Sequence, residues 1–212
     1  GRARKKRREQ KVDIDQYGYR VHRMQQIGVE ISGNQMAIVE DINPTPQWRG
    51  DHIKLYTDGS YYTIWKVAAW AVVDHLNNTK MCGRVPGAQS NNRAEITAVV
   101  AALCFIAKRG IGKVTVYTDS SYVVSGVRGE TRRLANLDLW HTLDEQMQAA
   151  HIQSSDIEWV QAHANNVGNC LADIAAKNEA QRIAQSRVAY DPALERERER
   201  EAPPAEVSVC EC

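Results

Sequence analysis

The feature that most constrains the fold is an alternation of helical and strand-like segments that begins near residue 90. Asn91–Arg109 places apolar residues three to four positions apart, with Ser90 or Asn91 able to cap its start and Gly110 placed to end it. Val114–Thr118, which follows, is a compact run of β-forming residues. This alternation indicates an α/β protein with a mixed sheet.

Three strand-like segments precede the first helix and resemble an antiparallel meander. The predicted strands are 53–57, 65–73, 80–85, Val114–Thr118 and 157–162, and the predicted helices are Asn91–Arg109, 122–127, Leu137–Ala150 and 169–183. We therefore expect a five-stranded sheet, antiparallel at first and then parallel, with helices on both faces.

The formal net charge of +1 conceals regions of opposite charge. Residues 1–11 hold seven Lys or Arg and one acid, whereas residues 191–212 hold three Arg and seven acids. We expect a basic arm at 1–11, an extension and linker at 12–50, one globular domain at 51–186 and a charged, low-complexity tail at 187–212. The arm has two compatible interpretations, nuclear targeting and contact with nucleic acid.

Composition also excludes several classes of protein. The longest nearly apolar stretch, 96–107, has twelve residues, and a membrane span needs about 20. No apolar segment follows the basic arm as it would in a signal peptide, so we expect an intracellular protein. The five cysteines are scattered without a Cys-x-x-Cys pair, which predicts reduced thiols rather than disulfides or a zinc module.

Two of the predicted strands lead directly into an aspartate. Asp58 follows strand 53–57, and Asp119 follows Val114–Thr118. Open α/β sheets place their ligand crevices at the carboxyl ends of strands. If these two strands are parallel neighbours, the two carboxylates lie side by side.

Two further acids are expected near the same place. Glu95 lies one turn into the helix Asn91–Arg109, and Asp173 lies in the apolar stretch 171–176. Clustered carboxylates repel one another and take up protons unless cations neutralise them, and Mg²⁺ prefers oxygen ligands. The alternative is that Asp58 and Asp119 are ordinary turn residues and helix caps.

The motifs that carry these acids resemble type 1 ribonuclease H, including the domains attached to reverse transcriptases. They are Tyr56-Thr57-Asp58-Gly59-Ser60, Ser90-Asn91-Asn92-Arg93-Ala94-Glu95, Tyr117-Thr118-Asp119-Ser120, and Trp159-Val160-Gln161-Ala162-His163 with Asn169 and Asp173. The resemblance covers about residues 51–186, which implies that this domain is catalytic.

The resemblance implies endonucleolytic cleavage of the RNA strand of an RNA–DNA hybrid. Two Mg²⁺ ions, for which Mn²⁺ can substitute, would be held by Asp58, Glu95, Asp119 and Asp173. Water would attack the scissile phosphate, leaving a 5′-phosphate on one fragment and a 3′-hydroxyl on the other. His163 would assist the leaving group or product release.

The resemblance also implies a set of substrate-binding residues: Ser60, Ser90, Asn91, Asn92, Asn136 and Trp140. Asn91 and Asn92 carry amides suited to the 2′-hydroxyls in the wide minor groove of a hybrid. Ser90 and Asn136 match residues that grip a phosphate of the DNA strand. Trp140 resembles an aromatic that packs along the DNA sugars, although a core position fits the sequence equally well.

The chain departs from the family pattern in two places. It lacks the glycine-rich loop after the first Asp-Gly, and only residues 122–135 replace a basic protrusion, with Arg128, Arg132 and Arg133 as their basic side chains. Retroviral-type domains share that deletion and rely on a polymerase, so a retroelement origin and a polymerase or other protein partner remain open. We hypothesise that the basic arm substitutes for the protrusion.

Two alternatives to hybrid cleavage follow. One is a domain of the same fold that binds nucleic acid or a protein without cutting, and the other is a transposase-like nuclease. Four acids that repel one another favour catalysis, because a domain that only binds has no need to retain them.

Overall fold

The computed structural model describes residues 13, 14, 16, 19–23, 29–31, 34–36, 52–110, 112–162 and 166–190. The basic arm at 1–11, His163 and residues 191–212 of the tail lie outside the described residues.

The described strands form a seven-stranded sheet and a separate two-stranded one. The strands are β1 (Asp13–Ile14), β2 (Arg20–Arg23), β3 (Val29–Ile31), β4 (Asn34–Met36), β5 (Ile53–Tyr62), β6 (Val67–Asp74), β7 (Thr79–Arg84), β8 (Val114–Thr118) and β9 (Ile157–Trp159). The large sheet has the order β1-β2-β7-β6-β5-β8-β9, and β3 pairs with β4.

The predicted five-stranded mixed sheet is confirmed as the central part of this larger sheet. β5, β6 and β7 are antiparallel neighbours, and β8 and β9 continue the sheet in parallel. The extension supplies the two further strands, because β2 pairs in parallel with β7 and β1 pairs antiparallel with β2.

The helices are α1 (Asn91–Arg109), α2 (Ser121–Val127), α3 (Leu137–Ala150) and α4 (Val167–Tyr190), with a 3₁₀ turn at Ser154–Asp156. The predicted bounds of α1 and α3 are confirmed. Ser90 caps α1 by accepting a hydrogen bond from the Arg93 amide, and Gly110 ends the helix in the left-handed region at φ 56°. α4 is longer than predicted at both ends and passes residue 186.

Two predicted strand ends differ from the structure by more than two residues, and both differences have a physical cause. β5 continues past Asp58 to Tyr62 because β6 pairs with it along that length, although its pairing with β8 stops at Thr57. The predicted strand 157–162 ends at Trp159, where its ladder with β8 also ends. Asp58 therefore lies inside a strand but beyond the last parallel pair.

The two faces of the sheet are covered by different helices. Along β6, Ala68, Trp70 and Val72 belong to the core cluster that contains α1 residues, whereas Val67 and Ala69 belong to a cluster with α4 residues. All eight residues of β6 are buried, as expected for a strand covered on both sides. The expectation of helices on both faces is confirmed.

Two findings concern the expectations about membrane spans and cysteines. Within the described ranges, which have gaps, no helix combines the length and apolar character needed to cross a membrane. In the same part of the chain, Cys82, Cys104 and Cys170 are free thiols.

Gly59 lets α1 approach β5 closely enough to place Glu95 beside Asp58. A Cβ at Gly59 would lie 2.4 Å from the carbonyl carbon of Ala94 and 2.4 Å from the amide nitrogen of Glu95. Both are backbone atoms, which cannot rotate out of the way. The glycine is thus required by packing rather than by an unusual backbone angle.

We expect Gly59→Ala to lower the free energy of unfolding by about 2–3 kcal/mol, because added atoms in a close-packed contact force backbone shifts. Urea titration at constant m-value measures the change. Gly112→Ala is the matched control, since no described atom lies within 4 Å of its added Cβ. Equal midpoints for the two variants would contradict the packing role of Gly59.

Candidate metal centre

The parallel register of β5 and β8 brings the first and third predicted acids together. Thr57 pairs with Thr118, so the next residues along the chain, Asp58 and Asp119, emerge side by side. α1 supplies Glu95 from above Gly59. One carboxylate oxygen from each of these three acids lies within 4.8 Å of the other two.

Two of the three carboxylates are almost completely buried. Asp58 is 5% exposed and Glu95 6% exposed, while Asp119 is half-buried. The Gly59 amide donates to Asp58 Oδ1 at 2.7 Å, and Asn91 Nδ2 donates to Glu95 Oε1 at 3.5 Å. Among the described residues, Glu95 Oε2 is buried without a hydrogen-bond partner. A buried carboxylate oxygen left in this state is costly unless it is protonated or meets a cation.

Burial and mutual repulsion make both buried acids hold protons. Burial first, and then the charges of Asp119 and Asp173, raise the pKa of Asp58 to about 8. Burial, and then the charges of Asp58 and Asp119, raise the pKa of Glu95 to about 9. Without a cation, the cluster is therefore partly protonated at neutral pH.

Asp173 stands beside the cluster rather than within it. Its charge acts on Asp58, but its side chain is 22% exposed and pairs with Lys177 Nζ at 2.8 Å, one turn along α4. The structure thus brings Asp58, Glu95 and Asp119 into one group and places the fourth predicted acid next to it, already facing a positive charge.

Asp119 is held in place by two residues to which sequence analysis assigned no role. Asn169 Nδ2 donates to Asp119 Oδ2 at 3.0 Å, and Trp159 Nε1 donates to the Asp119 carbonyl at 3.0 Å. Asn169 is 2% exposed, and its Oδ1 meets no described donor. Its position one turn before Asp173 on the same helix is the sequence signal that could have identified it.

The predicted substrate residues lie at the starts of α1 and α3 and in β5. Ser60 is half-buried in β5, Ser90 caps α1, and Asn91 and Asn92 are exposed in the first turn of α1. Asn136 stands directly before α3 in the left-handed region at φ 57°, without a side-chain capping hydrogen bond. The four residues at the helix starts thus lie at the amino ends of two helices that pack against each other.

Arg93 joins the two motifs that contain these residues. It is 7% exposed, and its guanidinium donates to both carboxylate oxygens of Asp138 at 2.9 and 2.8 Å. It also donates to Asn136 Oδ1 at 3.4 Å. This two-bond pairing of a planar guanidinium with a carboxylate fixes the start of α3 relative to α1.

Trp140 is not available to a nucleic acid in this structure. Its ring is 2% exposed, belongs to the main core cluster and lies against Gly126, where an added Cβ would be 2.5 Å from a ring carbon. Arg133 covers the ring with its guanidinium carbon 4.4 Å from the centroid. The prediction that Trp140 packs along the DNA sugars is corrected here, and the core alternative fits its burial.

The short segment in place of the basic protrusion offers few unengaged charges. Arg133 donates to Asp144 Oδ2 at 2.6 Å and to the Gly126 carbonyl at 2.9 Å. Arg128 and Arg132 are exposed. Arg133 thus serves the packing of α3, and two arginines remain at the surface of this segment.

The raised pKa values predict that, without metal, stability falls as the pH rises. The folded protein binds more protons than the unfolded chain between the ordinary aspartate pKa of 3.8 and the raised values of about 8 and about 9. The resulting stabilisation is complete below the lower value and is lost as the pH passes through the upper ones. In EDTA near pH 9, we expect Asp58→Asn to raise Tm by about 2–4 °C per kcal/mol of relieved repulsion, with little change near pH 4.

Thermal melts at both pH values measure this effect. Glu130→Gln, which neutralises an exposed acid, should leave Tm unchanged at both. An equal gain for Asp58→Asn at the two pH values would show that repulsion within the cluster is not its cause.

Comparison with known proteins identifies the family of this arrangement. The family model described as RNase H matches residues 50–181. A ribonuclease H of Cyanothece sp. is 30% identical over 139 residues, covering 58% of this chain and 86% of the relative, and a ribonuclease H of Ehrlichia canis is 32% identical over 142 residues, covering 60% and 93%.

A solved structure supports the same fold. The N-terminal RNase H domain of a Mycobacterium tuberculosis protein, determined as a fusion with maltose-binding protein, aligns with a TM-score of 0.50 and 23% identity over 64% of this chain and 97% of that one. Because the family model spans more than half of the residues, the chain belongs to the RNase H family.

Proposed function

We propose that this protein is an endonuclease that hydrolyses the RNA strand of RNA–DNA hybrids with two divalent metal ions. The single observation that carries the proposal is the group formed by Asp58, Glu95 and Asp119, whose oxygens lie within 4.8 Å of one another. The relatives described above are ribonucleases H by name, which supports the reaction class.

The residues present fit hard divalent cations. All candidate ligands are carboxylate oxygens, the set that Mg²⁺ and Mn²⁺ favour, and buried Glu95 Oε2 meets no donor in the described part of the chain. Asp58, Glu95 and Asp119 would hold the ions, with Asp173 at the edge of the site. Bound there, divalent ions neutralise the carboxylates, polarise the phosphodiester and make water a stronger nucleophile.

The chain's own side chains orient the ligands. Asn169 fixes one oxygen of Asp119, and the Gly59 amide fixes one oxygen of Asp58. Outer partners of this kind set the direction in which a ligand oxygen points and thereby tune metal affinity. His163 is proposed, from the family resemblance, to assist the leaving group or product release.

Substrate contact is proposed for the polar residues at the two helix starts. Asn91 and Asn92 are exposed beside Glu95, where their amides can pair with 2′-hydroxyls of the RNA strand. Ser90 and Asn136 are proposed to bind a DNA phosphate, and Ser60 to contact the hybrid from β5. The basic arm at 1–11 is proposed as an added phosphate contact, with nuclear targeting as a compatible second role. A polymerase or other protein partner would complement the short segment 128–133.

A binding domain without catalysis is the alternative. The short segment 128–133 favours it, because two exposed arginines make a small electrostatic surface for a hybrid. The buried acids favour catalysis, because their burial and repulsion cost folding free energy that a binding role does not require.

Asp119→Asn tests the proposal most directly. With Mg²⁺ and a labelled RNA–DNA hybrid, we expect the initial rate to fall at least about a hundredfold, because a ligand matters more than an outer partner, whose loss costs about 10–100-fold. EDTA should abolish wild-type cleavage, and Mn²⁺ should restore it. Glu130→Gln is the matched control for loss of one negative charge. Cleavage that tolerates Asp119→Asn would contradict the mechanism, and equal cleavage of single-stranded RNA would contradict the specificity.

Asn169→Ala tests the orienting role of the amide. We expect the Mg²⁺ concentration for half-maximal rate to rise by about tenfold, with the KM for hybrid unchanged, because the amide contacts Asp119 rather than the exposed surface. Asn92→Ala provides the opposite pattern, a raised KM for hybrid at unchanged Mg²⁺ dependence. A rise only in hybrid KM for Asn169→Ala would contradict its assignment.

Removal of residues 1–11 tests the role of the basic arm. We expect weaker hybrid binding and a shallower slope of log Kd against log salt, since each lost phosphate contact removes a slope of about 0.9 for duplex nucleic acid. Fluorescence anisotropy between low and physiological salt measures both. A Kd and a salt slope that match those of the intact chain would reject the hypothesis.

A further inference from the structure

We propose that residues 19–23 are an integral part of the catalytic unit and that Tyr19 is a positioning residue for the start of α4, the helix that carries Asp173. The proposal rests on the proposed function of Asp173 at the metal site. It concerns a segment that precedes the family match, which begins at residue 50, and it extends the domain beyond the 51–186 limits expected from sequence.

The backbone of the segment is built into the main sheet. β2 pairs in parallel with β7 over four residue pairs, from Arg20 with Thr79 to Arg23 with Cys82. A strand that pairs along its whole length with an edge strand satisfies backbone groups that the edge would otherwise present to solvent. Residues 20–23 therefore belong to the folded domain.

Tyr19, directly before β2, is buried in a cluster that contains residues of α4. It is 6% exposed and shares a buried cluster with Val73, Leu171 and Ala172, with Tyr56 packed against the cluster. Leu171 and Ala172 immediately precede Asp173 in the sequence. The aromatic ring thus supports the turn of α4 from which the fourth carboxylate projects.

Val21 supports the next turn of the same helix. It packs against a cluster made of Ala71 and Cys82 from the sheet with Ala175 and Ala176 from α4. The extension therefore contributes to the packing of α4 on both sides of Asp173 in sequence. Small alanine side chains at these positions let the helix lie close to the sheet, where each buried neighbour contributes to its packing.

Three contacts fix the position of the Tyr19 ring. Its hydroxyl hydrogen-bonds to His75 Nδ1, the two rings stack with centroids 6.2 Å apart, and Lys80 Nζ lies 4.6 Å from the tyrosine centroid. Lys80 is 2% exposed, and a desolvated ammonium over an aromatic face is a favourable pair. Tyr19 is held as a defined structural element rather than as a loosely attached arm.

Asp173 is the acid most sensitive to such support. Asp58 lies on β5, Glu95 on α1 and Asp119 directly after β8, three elements of the main core, whereas Asp173 lies on α4 itself and pairs with Lys177. Asp119 is tied to the same helix through the Asn169 amide. A shift of α4 would change the distance of Asp173 from the cluster without disturbing the hybrid-facing residues on α1. The expected signature is a change in metal dependence at unchanged substrate affinity.

The test compares Tyr19→Ala with Tyr19→Phe in the full chain. Tyr19→Ala should raise the Mg²⁺ concentration for half-maximal hybrid cleavage by about threefold to tenfold. Loss of a residue that bonds directly to a metal ligand costs about 10–100-fold, and Tyr19 acts less directly. The KM for hybrid at saturating Mg²⁺ should stay at the wild-type value. Tyr19→Phe keeps the ring and should restore the wild-type metal dependence.

Hydrogen exchange of the amides at 170–176 gives a readout that does not depend on activity. Tyr19→Ala should speed exchange there while leaving the amides of α1 protected. Ile14→Ala is the control within the extension, because Ile14 is 68% exposed and should change neither readout. If Tyr19→Ala fails to fold, Tyr19→Leu, which retains apolar volume, is measured in its place.

The outcomes separate this inference from the proposed function. Wild-type exchange at 170–176 together with wild-type Mg²⁺ dependence in Tyr19→Ala would overturn the positioning role. Suppose that Tyr19→Ala speeds exchange at 170–176 but the wild-type protein does not cleave hybrid. That result would support the packing of the extension on α4 and would overturn its role at a metal site. Loss of activity with raised hybrid KM and unchanged Mg²⁺ dependence would also overturn the inference.

Discussion

The site depends on one piece of strand pairing, the parallel ladder between β5 and β8. Because Thr57 faces Thr118 at the end of that ladder, two carboxylates are forced to leave the sheet at the same point. Their repulsion is imposed by backbone hydrogen bonds that run from Ile53 to the end of β8, and a change of side-chain rotamer cannot move the two backbones apart. Every other feature of the centre either adds to this concentration of charge or compensates for it.

Compensation is distributed unevenly among the four acids. Asp173 has the ammonium of Lys177, Asp119 has the Asn169 amide, and Asp58 has the Gly59 amide. Glu95, the other deeply buried member, receives a long contact from Asn91 at one oxygen, and its second oxygen is buried without a hydrogen-bond partner among the described residues. The carboxyl group of Glu95 is thus the least compensated of the four, and a cation bound beside it would stabilise its ionised form.

Much of the local structure could be predicted because its signals lie close together in the chain. The limits of α1 follow from a serine cap at one end and a glycine at the other, and the meeting of Asp58 with Asp119 follows from strand order. The length of β5 could not be predicted, because its continuation to Tyr62 depends on how far its pairing with β6 extends, and the sequence pattern predicts that pairing but not its extent. Trp140 was ambiguous for a similar reason, since its burial depends on the close approach of Gly126 and on Arg133.

The extension shows the limit of sequence patterns most clearly. Residues 12–50 have no sustained periodicity, and a single buried tyrosine followed by a four-residue strand carries too little pattern to be recognised. Tyr19 and Val21 share clusters with residues 71–82 of the sheet and with α4, all at least 50 positions away. Only the folded structure reveals that this stretch contributes side chains to the packing of the domain.

The lengths of the outer strands have a consequence for the behaviour of the protein in concentrated solution. The sheet ends in β1, with two residues, and β9, with three, whereas β7, with six, would form one border if the amino-terminal strands were missing. Unpaired amides and carbonyls along a border are templates for joining another molecule, and short borders offer few of them. Because β2 pairs with β7, the outer strand of the sheet on this side is the two-residue β1 instead of the six-residue β7. The shorter unpaired edge disfavours strand pairing between separate copies of the protein.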